Sequence, residues 1–344
     1  MWWIRCFGYI VPPFFAAFAL LLTGAIAQQN TQTTPASQST KSTPSPSAPA
    51  VDVKPLPADE KAVKTLKVAA EMLDAKKLGW FTTTVWQRVD SLGLAYESEG
   101  KYSGGPDMRV RVELEVVLGK TKGKTTIVSD GTTVWNSALI GSGTPTVSRW
   151  DLKRINGVLS APGTSPQLRQ MFYREQFFAG LAPLIQSLEQ HMIYTKQEIE
   201  TWKGHEVYKL TGVAPESAGK AANAWPLYVP RSSRCYFDKT TLWPHRLEWW
   251  GPTNAGGEDA LLSQMEFRAP KFFTGEAMPT ELAQAFKFEP GKGQILDRTQ
   301  EMTELLTRQR MIAPNQQPGK PVGSPRESHC PLVTAPLHFH RIAQ

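Results

Sequence analysis

The sequence predicts a mainly β protein of the α+β class, built on an antiparallel sheet. Three observations carry that expectation. From Trp80 onward, apolar and polar residues alternate in run after run, with turn residues between the runs. Helical spacing is confined to a few stretches, of which 59–79 and 165–191 are the clearest. With 344 residues, 41% of them hydrophobic and 20% charged, the chain has material for one large or two small cores.

The first 27 residues read as a secretory signal peptide. Arg5 lies in the leading segment, an apolar run follows from Phe14 to Leu22, and Ala25-Ile26-Ala27 fits a small-x-small cleavage site. Pro12-Pro13 and the shortness of the run argue against a membrane span. An uncleaved anchor is the competing reading, and either way the protein is expected in the periplasm or otherwise exported. Residues 28–57 are rich in Ser, Thr, Pro and Gln, and carry too little apolar surface to order themselves. They are expected to be a disordered spacer before a folded domain at 58–305, with a disordered tail at 306–344.

The first folded element is a helix over 59–79. Ala62, Val63, Leu66, Ala69, Ala70 and Leu73 recur at spacings of three and four, Asp59 and Glu60 suit its start, and Gly79 suits its stop. Then the period changes to two. Phe81, Val85 and Val89 share one face of a first strand. Val110, Val112, Leu114 and Val116 alternate with Arg109, Arg111, Glu113 and Glu115, which is the pattern of a half-wetted strand. "IVSDGTTVWNS" (127–137) reads as strand, tight turn and strand, so 80–137 is an antiparallel meander. Ser165-Pro166 opens a helical stretch that Pro183 divides. Strands return in two hairpins, turning at Lys203-Gly204 and near Asp238-Lys239, and a further strand follows over 260–273.

Few residues suggest chemistry. "GKTKGKTT" (119–126) is one residue short of a phosphate-binding loop and leads into a strand, so it reads as a polar hairpin turn. His329, Cys330, His338 and His340 are metal-capable, but they lie in a Pro-rich tail with no core to fix a tetrahedron, and no metal site is expected. His191, His205 and His245 are isolated in sequence and read as surface or turn residues. Glu113 and Glu115 read as a solvated face. There is no nucleophile elbow, zinc-protease helix, dinucleotide fingerprint or Cys-x-x-Cys pair, so no catalytic residues are assigned and the protein is expected not to be an enzyme. No cofactor is expected. Cys235 and Cys330 survive signal cleavage, and whether they pair is not decided by spacing. The net charge of +7 is spread out rather than blocked; this speaks against nucleic acid and leaves peripheral contact with an anionic lipid surface open.

Several short motifs, in order, resemble one family. "FTTTVWQRV" with Gln87, "EGKY" (99–102), "VSDGTTVW" (128–135) and "FKFEPGKG" (286–293) are similar to segments of the LolA-like superfamily, that of the outer-membrane lipoprotein carrier LolA and the sigma-factor regulator RseB. Gly105 precedes Pro106 where LolA has an Arg before its Pro, a departure from the family pattern at the position of the LolA latch. The resemblance implies a curved antiparallel half-barrel with helices closing its concave face. It also implies an exported, monomeric, non-enzymatic carrier that binds a lipid, an acyl chain or a lipoprotein in a hydrophobic cavity. An envelope sensor or protein-interaction module of RseB type is the alternative, and a hydrolase the third reading. Aromatic and Met placement nominates Phe81, Val85, Tyr102, Val112, Leu114, Trp135, Met171, Phe172, Trp249, Met265 and Phe267 as the cavity wall.

Overall fold

The computed structural model describes residues 57–312, except 92–93, 167, 170–171, 173–179, 216–228, 255–256, 274, 276 and 292. The expected signal peptide, the spacer up to residue 56 and the tail from 313 lie outside the described residues, as does Met171.

The predicted first helix forms as two. α1 (Glu60–Met72) is capped by Asp59, whose side chain accepts from the Lys61 N–H, and α2 (Ala75–Leu78) is capped in the same way by Asp74. Asp74 interrupts the helix because its carboxylate satisfies the Lys76 N–H instead of letting it join the helix ladder. Six strands then run as a meander: β1 (Trp80–Ser91), β2 (Leu94–Gly105), β3 (Arg109–Leu118), β4 (Thr121–Asp130), β5 (Thr133–Ile140) and β6 (Thr146–Asp151). At the β4–β5 turn, Asp130 Oδ1 accepts from the Thr132 N–H, the Thr132 hydroxyl and the Thr133 N–H, each at 2.7 Å, while Gly131 takes φ 91°. A short helix follows, α3 (Leu152–Leu159), and then α4 (Leu181–His191), with Pro183 in its first turn.

A second meander comprises β7 (Ile193–Trp202), β8 (His205–Val213), β9 (Ser232–Asp238), β10 (Pro244–Pro252) and β11 (Asp259–Phe273). Its last strand pairs with the first strand of the first meander. The result is one open sheet of twelve strands, in the order β12-β6-β5-β4-β3-β2-β1-β11-β10-β9-β8-β7. The fold is therefore the expected half-barrel: a large antiparallel sheet that does not close, with helices packed on one face. β12 (Ile295–Asp297) pairs parallel with β6, and α5 (Thr299–Ile312) ends the described chain.

Two expectations need correction. The resemblance implies a terminal strand at "FKFEPGKG" (286–293), but its described residues, 286–291 and 293, form none. The segment instead crosses the outer face of the sheet as a strap: Phe286 packs on Trp80, Arg111 donates to the carbonyls of Ala285 and Lys287, and Phe288 stacks on Trp135. The expected boundary at 305 also falls inside α5, whose Leu306 is buried.

The inner face of the sheet carries two separate apolar clusters. The larger joins β1, β2, β3 and β7–β11 to α1 and α4, through Ala62, Leu66, Ala69, Leu181, Ile185 and Leu188 of the helices. The smaller gathers Ile127, Val134, Leu152, Ile155, Leu159, Leu168, Phe172 and Leu306. Among the described residues no helix is long and apolar enough to cross a membrane.

Candidate functional site

Strand alternation decides which nominated residues share a face. Phe81, Val85 and Val89 of β1 point inward, and antiparallel pairing carries that face across to Tyr102, Val112 and Leu114 on one side and to Phe267 and Met265 on the other. These residues and Trp249 belong to the larger cluster, and all are buried. Phe81 makes edge-on contacts with Tyr102 and Trp243, at centroid separations of 5.2 and 5.7 Å. Phe172 belongs to the smaller cluster.

Trp135 is a correction. It pairs with Val128, on the face opposite Val134, and therefore lies outside the half-barrel, stacked 5.4 Å from Phe288. The sequence shows that Val134 and Trp135 point opposite ways but not which of them points in. The strap shields Trp135 and so removes the usual sign of an outward residue, an exposed side chain.

The inner face is not uniformly apolar. Gln87, Ser98 and Ser263 are buried toward the end of β1 that leads into β2. The hydroxyls of Ser98 and Ser263 have no hydrogen-bond partner among the described residues. Further along the same face, the Tyr194 hydroxyl lies 3.1 Å from Ser233 Oγ and 3.2 Å from Cys235 Sγ. Burial pushes the Cys235 thiol up to about 12, so it is a packed, unreactive thiol rather than a nucleophile. Among the described residues Cys235 forms no disulfide, and Cys330 lies outside them.

The outer face of β9–β11 is a lattice of cations, aromatics and carboxylates. Arg234 covers Trp250 at 4.4 Å, Arg268 covers Trp86 at 5.1 Å and Arg246 covers Tyr236 at 5.7 Å. Buried Glu266 takes Lys203 at 2.9 Å and Arg268 at 2.7 Å. Burial opposes the ionised Glu266, but these two cations outweigh it and hold its pKa below the ordinary carboxylate value.

Three residues read as unconnected come together at one end of this face. The β7–β8 turn and the β9–β10 turn lie side by side, and His205, Asp238 and His245 bring their ligand-capable atoms within 4.8 Å of one another. The β7–β8 turn is tight because Lys203 and Gly204 both take positive φ, 48° and 86°. Asp238 Oδ1 accepts from the Thr240 N–H, the Thr241 N–H and the Thr241 hydroxyl, which leaves Oδ2 facing His245 Nε2 at 3.5 Å. Burial opposes the Asp238 charge, yet the Thr241 and Thr240 hydrogen bonds prevail and lower its pKa. Burial lowers the pKa of His245, and His205 adds to that. The sequence signal for this meeting was present in the two hairpin turns, at Lys203-Gly204-His205 and Asp238 to His245. What hid it was a bulge between Pro244 and Arg246, which puts His245 beside Asp238 against strict alternation.

No family model matches the chain, and no curated protein matches it. Solved structures do. A chain of the Pseudomonas aeruginosa MucA/MucB complex matches at 14% identity and TM-score 0.30, over 63% of this chain and 59% of that one. A DUF1329 family protein from Desulfovibrio piger matches at 10% identity and TM-score 0.26, over 66% of this chain and 97% of that one. A LolA superfamily protein from Nitrosomonas europaea matches at 12% identity and TM-score 0.21, over 64% of this chain and 96% of that one. The chain is similar to LolA-superfamily and MucB structures. It spans less than two thirds of the matched MucA/MucB chain, and at these scores the likeness carries no functional argument.

Proposed function

We propose that the protein is an exported, non-enzymatic carrier of the cell envelope that holds a lipid or acyl chain between the sheet and helices α1 and α4. The observation that supports this reading is the amphiphilic make-up of the inner face. Most of it is a continuous apolar wall of Phe81, Val85, Tyr102, Leu114, Met265 and Phe267. One end carries the buried Ser98 and Ser263 hydroxyls, which have no partner among the described residues. An unpaired buried hydroxyl costs about 1–3 kcal/mol, and a ligand head that reaches it removes that cost. An acyl tail along the wall gains about 0.8 kcal/mol per methylene, so about ten methylenes supply roughly 8 kcal/mol, a micromolar affinity before the cost of opening.

In this reading the binding unit is the expected domain from residue 58, extended by α5 to Ile312. Side chains of α1 and α4 fill the space over the wall, so the helices move away from the sheet to admit a ligand. That movement uncovers Leu66 of α1 and Leu181, Leu184, Ile185 and Leu188 of α4, apolar area that the incoming acyl chain must cover again.

The test is native mass spectrometry with organic extraction, on protein exported in a Gram-negative host. A copurified lipid or acyl peptide is expected, with its occupancy reduced several-fold in a Ser98→Val/Ser263→Val variant of unchanged fold. A folded protein that carries no lipid and takes up no added fatty acid overturns the carrier reading. The arginine–aromatic outer face of β9–β11 would then be the surface to test for a protein partner.

A further inference from the structure

We propose that His205, Asp238 and His245 form a binding site for a divalent transition-metal ion of the zinc class, with at least one coordination position open to an outside ligand. The proposal does not depend on the carrier reading, because the site lies at the turn end of the outer face, away from the apolar wall.

The donor set is two imidazoles and one carboxylate, a combination that suits zinc and its neighbours and is poor for calcium or magnesium, which take oxygen ligands. The donor atoms lie within 4.8 Å of one another. Around a tetrahedral zinc at about 2.0–2.1 Å from each nitrogen, neighbouring ligand atoms are about 3.4 Å apart. The widest separation thus exceeds that spacing by at most about 1.4 Å, and exposed His205 can supply the closing movement by side-chain rotation.

The other two ligands are already held. Asp238 Oδ1 is fixed by three hydrogen bonds from Thr240 and Thr241, and only Oδ2 faces the site. That division of labour, one oxygen to the scaffold and one to the metal, is how supporting hydrogen bonds orient a ligating carboxylate. His245 is buried, with its ring 4.6 Å from that of His205 and 5.6 Å from that of Trp202. A β-bulge turns it onto this face, and bulges of this kind re-aim side chains at functional sites. The two cations of the adjoining turns are drawn elsewhere. Lys203 Nζ binds Glu266 at 2.9 Å and Lys239 Nζ binds Glu206 at 3.2 Å. The trio therefore presents one carboxylate and two imidazoles to an incoming cation, with neither lysine paired to it.

The experiment is zinc titration by isothermal calorimetry on the full chain, with Co2+ absorption spectra as a second readout. The parent for the comparison carries His329→Ala, Cys330→Ser, His338→Ala and His340→Ala, so that binding by those residues does not mask the site. One equivalent of Zn2+ is expected to bind at micromolar affinity or better. In that parent, His205→Ala and Asp238→Asn are each expected to weaken binding at least tenfold and to abolish the intense visible Co2+ bands of a four-coordinate site. His205 is exposed, and Asn retains the oxygen that caps the Thr240–Thr241 turn, so both variants keep the fold, which far-UV circular dichroism checks. Equal zinc affinity in parent and variants overturns the proposal, as does a parent that takes up no zinc.

Discussion

At the residue scale, Gly105 shows how tightly the outer face of β1 is packed. A Cβ at this position would lie 2.2 Å from Trp80 Cε3, and Trp80 is held down by Leu282 and Phe286. Gly105→Ala is expected to cost about 1–3 kcal/mol through overpacking, a Tm loss of about 2–4 °C for each kcal/mol in a domain of this size. If the clash with a pinned ring is the cause, releasing the ring should relieve it. In a Phe286→Ala background the same change should therefore cost less, and a double-mutant cycle by thermal or urea unfolding measures the difference. Additive costs would refute the mechanism. This packing was only half legible in the sequence. Alternation paired Phe81 with Val85 and Val89 correctly, but Trp80 and Trp135 have their own cover on the opposite face, supplied by a strap some 150–200 residues away in the chain. A period of two says which residues share a face and nothing about what distant chain covers it.

At the element scale, the C-terminal β12–α5 unit is fastened through one carboxylate. Asp297 accepts from Thr299 N–H at 2.9 Å and from Arg149 at 2.8 and 3.0 Å. Hydrogen bonds from the Thr299 side chain and backbone, and then from Arg149, lower its pKa from 3.8 to about 2. A carboxyl whose folded pKa is depressed adds stability above its unfolded value, and loses that contribution as pH falls toward the folded value. The Tm gap between the parent and Asp297→Asn should therefore be full at pH 6, shrink between about pH 4 and pH 2, and be near zero at pH 2. A gap of constant size across that window would show that the Asp297 charge has no part in the docking. The same region contains an element the sequence reading passed over. α3 carries Leu152, Ile155 and Leu159 on its buried side, with Asp151 accepting from the Arg154 N–H as its cap. Those are legible start and spacing signals, but eight residues give barely two turns of pattern, and the preceding loop is rich in Gly, Thr and Ser. The His205–Asp238–His245 trio was only partly legible for another reason: the two hairpin turns are visible in the sequence, but the bulge at Pro244/Arg246 breaks the alternation that would have placed His245.

At the scale of the whole molecule, strand periodicity led to the antiparallel sheet and the resemblance carried by motif order implied the half-barrel, whereas the joining of the two meanders followed from neither. β1 and β11 pair from Trp80↔Phe273 to Val89↔Ser263, a contact between segments some 170–190 residues apart that no local pattern encodes. That seam makes the inner face one wall, yet the core beneath it is divided. The larger cluster draws on both meanders and on α1 and α4, while the smaller is built from β4, β5, α3, α5, Leu168 and Phe172. Separate clusters under one sheet are expected to open separately, because local opening follows the boundaries of buried apolar contact rather than those of the hydrogen-bonded sheet. β5, β6, α3 and α5 should therefore form the less stable unit: they lie toward one edge of the sheet, where β12 is only three residues long. Native-state hydrogen exchange, followed by mass spectrometry at rising urea below the global transition, should show these elements exchanging first, with β1, β2, β10 and β11 last. Leu306→Ala, which empties a buried position in the smaller cluster, should speed exchange there and leave the β1–β11 seam unchanged. If the seam and the β5–β6 region lose protection together in the parent, the sheet is one cooperative unit. Ligand entry could not then use opening over one cluster while the other stays closed, and the movement of α1 and α4 would have to loosen the whole sheet.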